Sequence, residues 1–223
     1  MKKIATLYTD FNTKFGIPRQ SGLCEELKGK IIFEREYRNP DAFRGLESFS
    51  HVWVLWQFSE AVRDNWSPTV RPPRLGGNKR VGVFATRSPF RPNNIGLSCV
   101  RLEKIEYSEK DSPVLYVSGI DMMNGTPVFD IKPYVPIADC RTDATDGFTA
   151  YTKDYSLDVI FNDELLNILP EDKRSAAVKM LSLDPRPSYI DDNARIFGVE
   201  FAGFDIKFKV QDAILTVCEV SRL

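Results

Sequence analysis

The sequence predicts a mainly β protein, an antiparallel sandwich or barrel followed by a small α+β domain. Three observations predict it. The first 135 residues are a series of short runs rich in β-branched and aromatic residues, separated by proline and glycine loops. Few helical periodicities interrupt them, which argues against a doubly wound sheet. After Pro136 the texture changes to a polar stretch, two helical runs and three more strand-like runs.

The expected strands of the first part are residues 3–8, 30–33, 51–58, 80–86, 97–107, 113–120 and 127–135. The run "LSCVRLEKI" alternates apolar and polar positions, as a half-buried strand does. Between the second and third strands, "NPDAFRGLESF" reads as a short helix entered through Pro40 and left near Gly45 to Ser50. The polar "ADCRTDATDGFTAYTKD" reads as a loop, with a domain boundary near residue 140, so that 1–140 and 141–223 form two units. "NDELLNIL" and "PEDKRSAAVKMLSLD" read as helices, the second with proline in its first turn. "DPRPS" at 184–188 forbids helix. The last strands are expected at 194–201, 204–210 and 213–220, with Asp212 in a tight hairpin turn.

Composition sets limits. A chain of 223 residues with 43% hydrophobic and 27% charged residues suits one large domain, or one domain with an appendage. No apolar run approaches the roughly 20 residues that cross a bilayer, and the N-terminus reaches an aspartate before any leader-like segment develops. A cytoplasmic protein without a membrane partner is expected. Cys24, Cys99, Cys140 and Cys218 lie far apart without CxxC spacing, so no metal site and no disulfide framework is expected. The lone His51 is expected to be a hydrogen-bonded structural residue at a strand start.

Charge is uneven. From Asn65 to Leu102 there is no acid, against seven bases: Arg71, Arg74, Lys79, Arg80, Arg87, Arg91 and Arg101. From Cys140 to Asn193 there are 11 acids and six bases. A local basic surface of this kind suits a polyanion despite a net charge of −1. No GxGxxG opens a helix, and "RLGGNKR" lacks the spacing of a P-loop, so nucleotide folds of those types are excluded. What remains is four stiff, polar loops: 16–22, 71–80, 85–96 and 119–134. Their arginine forks suit a carboxylate or a phosphate.

"IPRQ", "RGLESFSHVWVLWQF", "VRPPRLGGNKRVGVFATRSPFRPNNIGLS" and "GIDMMNGTPVFDIKPYVP" occur in the order found in the TsaA-like (YaeB/TrmO) family, which residues 1 to about 140 resemble. "DPRP" and the terminal strands resemble that family's small C-terminal domain. The resemblance implies a β-barrel S-adenosylmethionine-dependent methyltransferase acting on N6 of threonylcarbamoyl adenosine at position 37 of tRNA. It further implies threonine-accepting tRNA as the substrate, and a homodimer with the cofactor near the subunit interface.

Carried over by motif, cofactor contacts are expected at Pro18, Arg19, Gln20, Ser59, Glu60, Arg87, Leu97, Ser118, Gly119, Ile120 and Asp121. Ser59 and Glu60 depart from the family's usual residue types, so contacts there are expected through the backbone. Arg87 or Arg19 would clamp the cofactor's carboxylate, and Asp121 or backbone near Gly119 would face the sulfonium. Asn93, Asp130 or a carbonyl would take the proton of the methylated amine. Arg91 and Asn93 are expected to face RNA or the partner subunit, Arg91 as an RNA contact, with Arg186, Lys207 and Lys209 extending the RNA footprint. Two other functions fit the same residues: a non-catalytic barrel that binds an adenosine-containing ligand or RNA, and a methyltransferase with another acceptor.

Overall fold

In-and-out alternation along the strands becomes the wall of a closed barrel. The computed structural model describes residues 1–223 apart from 64, 73, 74, 76–78, 153, 154 and 187–194, and without the side chains of 151 and 152. Arg74 of the basic window, residues 187–188 of "DPRPS" and Ala194 of an expected strand thus lie outside the described residues.

The strands are β1 (Ala5–Thr9), β2 (Lys28–Phe33), β3 (His51–Gln57), β4 (Thr69–Val70), β5 (Val81–Gly82), β6 (Ile95–Glu106), β7 (Val114–Ser118) and β8 (Thr126–Pro133). Then come α1 (Pro136–Asp139), β9 (Asp158–Ile160), α2 (Asp163–Leu166), α3 (Glu171–Ser182), β10 (Phe197–Phe201), β11 (Phe204–Gln211) and β12 (Ile214–Arg222). Six strands close the barrel in the order β1-β2-β7-β6-β3-β8, antiparallel at every joint. Inward positions carry the core: Leu7, Ile31, Val52, Val54, Val100, Val117 and Val128 are all buried. Gly96 faces Trp56 across the β3–β6 joint. A Cβ at Gly96 would lie 2.2 Å from the Trp56 ring, so only glycine lets that indole lie flat over the strand.

Several local expectations change. The run at 80–86 pairs only through Val81 and Gly82 with β4, then tightens into a 3₁₀ turn at Val83–Ala85. The expected helix at 39–49 is two 3₁₀ turns, Pro40–Phe43 and Leu46–Ser48, divided by Gly45 at φ 88°. "NDELLNIL" keeps one helical turn, because Pro170 biases its predecessor out of the α region and a new helix must start after it. Pro170 is the N-cap of α3 rather than part of its first turn. The stretch read as loop contains part of α1 and a 3₁₀ turn at Gly147–Thr152.

The C-terminal sheet runs β10-β11-β12-β9, with the three-residue β9 parallel to β12. Asp212 and Ala213 take φ of 50° and 63°, and Ala202 and Gly203 take 53° and 83°. Both pairs have the double positive φ of a type I′ hairpin turn. Ala176, Ala177, Met180 and Leu181 of α3 are buried, and the apolar core runs on without a break into the barrel. The join is the β1–β2 loop, residues 10–27. Lys173 Nζ lies 2.6 Å from Asp10 Oδ2, Ala202 donates its N–H to the Asp10 carbonyl at 3.0 Å, and the Phe11 and Phe201 rings stand 5.3 Å apart.

Candidate functional site

The antiparallel order places three loops at one end of the barrel: β1–β2 (10–27), β3–β6 (58–94) and β7–β8 (119–125). They touch there. Lys14 donates to the Glu60 carbonyl at 2.5 Å, Phe58 donates its N–H to the Asn94 carbonyl at 2.9 Å, and Asn124 donates its N–H to the Phe11 carbonyl at 2.8 Å. Asn94 Nδ2 donates to the Pro89 carbonyl at 2.6 Å, which folds the stiff 85–94 segment over the barrel mouth.

The mouth has an open seam. Strand β6 pairs with β3 from Ile95 onward, but with β7 only from Arg101. Residues 95–100 therefore leave one edge free on the β7 side. The Cys99 N–H points along that edge to Ser21 Oγ at 3.1 Å. Residues two apart on a strand point their backbone groups the same way, so Leu97 presents its N–H and C=O to the same edge. Its side chain is exposed on the outer face. Opposite this edge, Gly22 donates its N–H to the Gly119 carbonyl at 2.9 Å, and Gly119, at φ 72°, donates to the Leu27 carbonyl at 2.9 Å.

Asp121 is the charged centre of the seam. Trp56 Nε1 donates to Ser98 Oγ at 2.9 Å, and Ser98 Oγ donates to Asp121 Oδ1 at 2.6 Å. The Asp121 carboxyl also faces the Ser21 N–H and the Arg87 guanidinium. Burial dominates, raising its pKa to about 6, against the opposing pull of the Ser98 hydroxyl, the backbone N–H groups of Asp121 and Ser21, and Arg87. Arg87 Nη1 donates to Gln20 Oε1, tying the "PRQ" loop to the "ATRS" loop.

The expected residues thus divide. Gln20, Arg87, Gly119, Leu97 and Asp121 converge on one seam. Pro18 and Ile120 are buried and Arg19 is exposed, all within the two facing loops. Ser59 and Glu60 lie exposed in a 3₁₀ turn at the rim. Ser118 is buried, and its hydroxyl donates to Glu103 Oε1 at 2.5 Å. Asn93 is exposed at the loop's end, its carbonyl accepting from the Ile95 N–H at 2.8 Å.

Asp130 stands apart from this group. It pairs with Lys132 at 2.8 Å and faces a separate cleft of about 630 Å³ beside the 3₁₀ turns at the other end. Arg91 donates to the Thr86 carbonyl at 3.2 Å. Arg186 makes a two-pronged pair with Asp184, at 2.8 and 3.0 Å, and its side chain is only 14% exposed. Lys207 pairs with Glu219 at 2.9 Å. His51, at the start of β3, contacts Ser50 Oγ at 2.9 Å.

The sequence motifs do not point to Ser21, Trp56 or Ser98 as members of the seam. Ser98 had a sequence signal: it is a polar residue at an inward position of the "GLSCV" alternation, and it is 1% exposed. Among the described residues no group of three or more His, Cys, Asp or Glu could hold a metal ion, and no helix is long and apolar enough to cross a membrane. Burial pushes the Cys24 thiol up to about 12, away from nucleophilic use.

Residues 6–140 match the model of the tRNA-methyltransferase O N-terminal domain, and residues 154–223 match that of the TrmO C-terminal domain. The chain belongs to the tRNA-methyltransferase O family. A tRNA (adenine(37)-N6)-methyltransferase of Escherichia coli is 39% identical over 220 residues, covering 95% of this chain and 93% of that one. A "Probable S-adenosyl-L-methionine-binding protein" of Pyrococcus abyssi is 31% identical over 147 residues, 66% of this chain and 74% of that one. The crystal structure of TrmO from P. aeruginosa superposes with a TM-score of 0.79 at 33% identity, covering 99% of this chain and 95% of that chain. The open seam is therefore a feature of a TrmO-family barrel.

Proposed function

We propose that this protein is an S-adenosylmethionine-dependent tRNA methyltransferase acting on N6 of adenosine 37. One observation carries the reading: a buried carboxylate and an arginine meet beside a free strand edge, at the loop-bearing end of a TrmO-family barrel.

The residues fit the cofactor's three demands. Arg87 and Gln20 suit its carboxylate, the Asp121 carboxylate suits its cation, and the free backbone of Leu97 with the Gly119 loop suits the edge of an adenine. When bound, the cofactor supplies an electrophilic methyl group. The protein's own work is then positioning, which can lower a barrier by roughly 7–11 kcal/mol. Arg87 and Asp121 orient the donor from two sides, and the rim at Asn93 or a backbone carbonyl receives the amine's proton. Asp130, turned to the far cleft, is not part of this constellation.

The finer reading follows the family resemblance. The acceptor is threonylcarbamoyl adenosine in threonine-accepting tRNA, the protein works in the cytoplasm as a homodimer, and the cofactor lies near the subunit interface. Residues 1–140 hold the donor and residues 141–223 contact tRNA. Phosphate contacts fall to Arg91 and its basic neighbours. Lys207, 40% exposed, can exchange Glu219 for a phosphate, whereas Arg186 serves Asp184.

The test is incubation with labelled S-adenosylmethionine and total tRNA from cells lacking the activity, then mass analysis of the nucleosides. Label on threonylcarbamoyl adenosine is the expected result. Donor binding without label on any nucleoside would replace this reading with a binding barrel or a non-RNA acceptor.

A further inference from the structure

We infer that the exposed Trp66–Phe84 pair is a stacking platform for unpaired RNA bases beside the target nucleoside. This inference rests on the reading that the substrate is an RNA loop. The two rings stack with centroids 6.0 Å apart and planes 26° from parallel. Trp66 is 48% exposed and Phe84 71% exposed, which is costly for rings held on an ordered ribbon. That ribbon is built by Thr69 and Val70 pairing with Gly82 and Val81, by the Val83 N–H donating to the Pro68 carbonyl at 3.0 Å, and by the Ser67 N–H donating to the Phe90 carbonyl at 3.3 Å. Phe84 precedes Arg87 by three residues, so their Cα atoms are at most about 11 Å apart. The platform therefore lies within one or two nucleotides of the seam.

Charge decides what covers these rings. Arg63 lies 3.9 Å over the Phe90 ring, and Arg91 lies 6.0 Å from the Phe84 centroid. Among the described residues Arg63, Arg71, Lys79, Arg80 and Arg91 form no ion pair. Aromatic faces beside arginines that form no ion pair among the described residues suit a single-stranded polyanion whose bases stack while its phosphates meet the arginines. A second copy centred on the ring pair itself would set these same cations against themselves, so the subunit contact proposed near the cofactor falls on another side of the seam.

The experiment compares the parent with Trp66→Ala and Phe84→Ala, and with Phe84→Tyr as an aromatic control. Affinity for a synthetic anticodon stem–loop RNA is read by fluorescence anisotropy across a salt series, donor affinity by calorimetry, and association state by sedimentation. Each alanine variant should weaken RNA binding on the order of tenfold, with Phe84→Tyr restoring it. The salt slope and donor affinity should stay unchanged, because no cation is removed. RNA affinity equal to the parent's in both alanine variants would overturn the platform. If an oligomer then dissociates, the face is a contact between copies. A parent that binds donor but no RNA would overturn the functional reading as well, and is told apart by the parent's own titration.

Discussion

Asp121 ionises with difficulty, and the role proposed for it requires the ionised form. Its folded-state pKa of about 6 lies above the ordinary 3.8, so the unfolded chain releases this proton first. Asp121 thus contributes stability fully below about 3.8, and that contribution is lost as pH rises through about 6. Asp121→Asn removes the effect: as pH rises from about 4 to about 6, the variant's Tm should gain on the parent's. Donor affinity should move the other way. The parent's should strengthen as pH rises through about 6, while the variant's should be weaker and flat, as calorimetry across pH would read. Arg87→Ala should weaken donor binding by about 1.5–3 kcal/mol with little change in Tm, since this exposed side chain bonds Gln20 on a neighbouring loop and packs into no core. At this scale the motifs made Gln20, Arg87 and Asp121 legible. No motif marks Ser98, because its place lies in a chain of bonds from Trp56 to Asp121 that spans three elements.

Strand β6 shows what an element contributes beyond its residues. Its 12 residues exceed the five of β7, and the difference in length is what opens the seam. Alternation announced the strand, yet nothing local says where its neighbour stops. Gly96→Ala tests the joint with β3. The new methyl would meet an indole already held by its bond to Ser98, so the ring cannot withdraw freely. A loss of about 1–3 kcal/mol in denaturant unfolding is expected, with weaker donor binding as Ser98 is displaced. Two elements depart from their propensity for one cause. Residues 80–86 have strand composition but pair through two residues only, and the three-residue β9 forms because β12 lies beside it. Pairing partners, not propensity, decided both.

For the whole molecule, the C-terminal domain grips the loop that carries the "PRQ" motif. Asp10, Phe11 and Cys24 on that loop meet Lys173, Phe201 and Ala176. The Lys173–Asp10 pair is about three-quarters buried on both sides, at 24% and 26% exposure. Lys173→Met should therefore cost about 1–2 kcal/mol of stability, between the surface and buried cases. It should also raise the KM for the donor more than it lowers kcat, with Lys173→Arg restoring both. A fall in stability alone would separate the domain from the site.

The sequence by itself determined where most of the barrel strands lie along the chain, the hairpin turn at Asp212, the basic window and the composition of the motif loops. These depend on side-chain chemistry and spacing along one chain. Only the tertiary structure decided that the barrel leaves β6 half unpaired, that Asp130 faces a different cleft, and that Arg186 is held by Asp184. Those outcomes depend on registers and contacts between segments far apart in sequence, where small shifts redirect a side chain from one wall of the molecule to another.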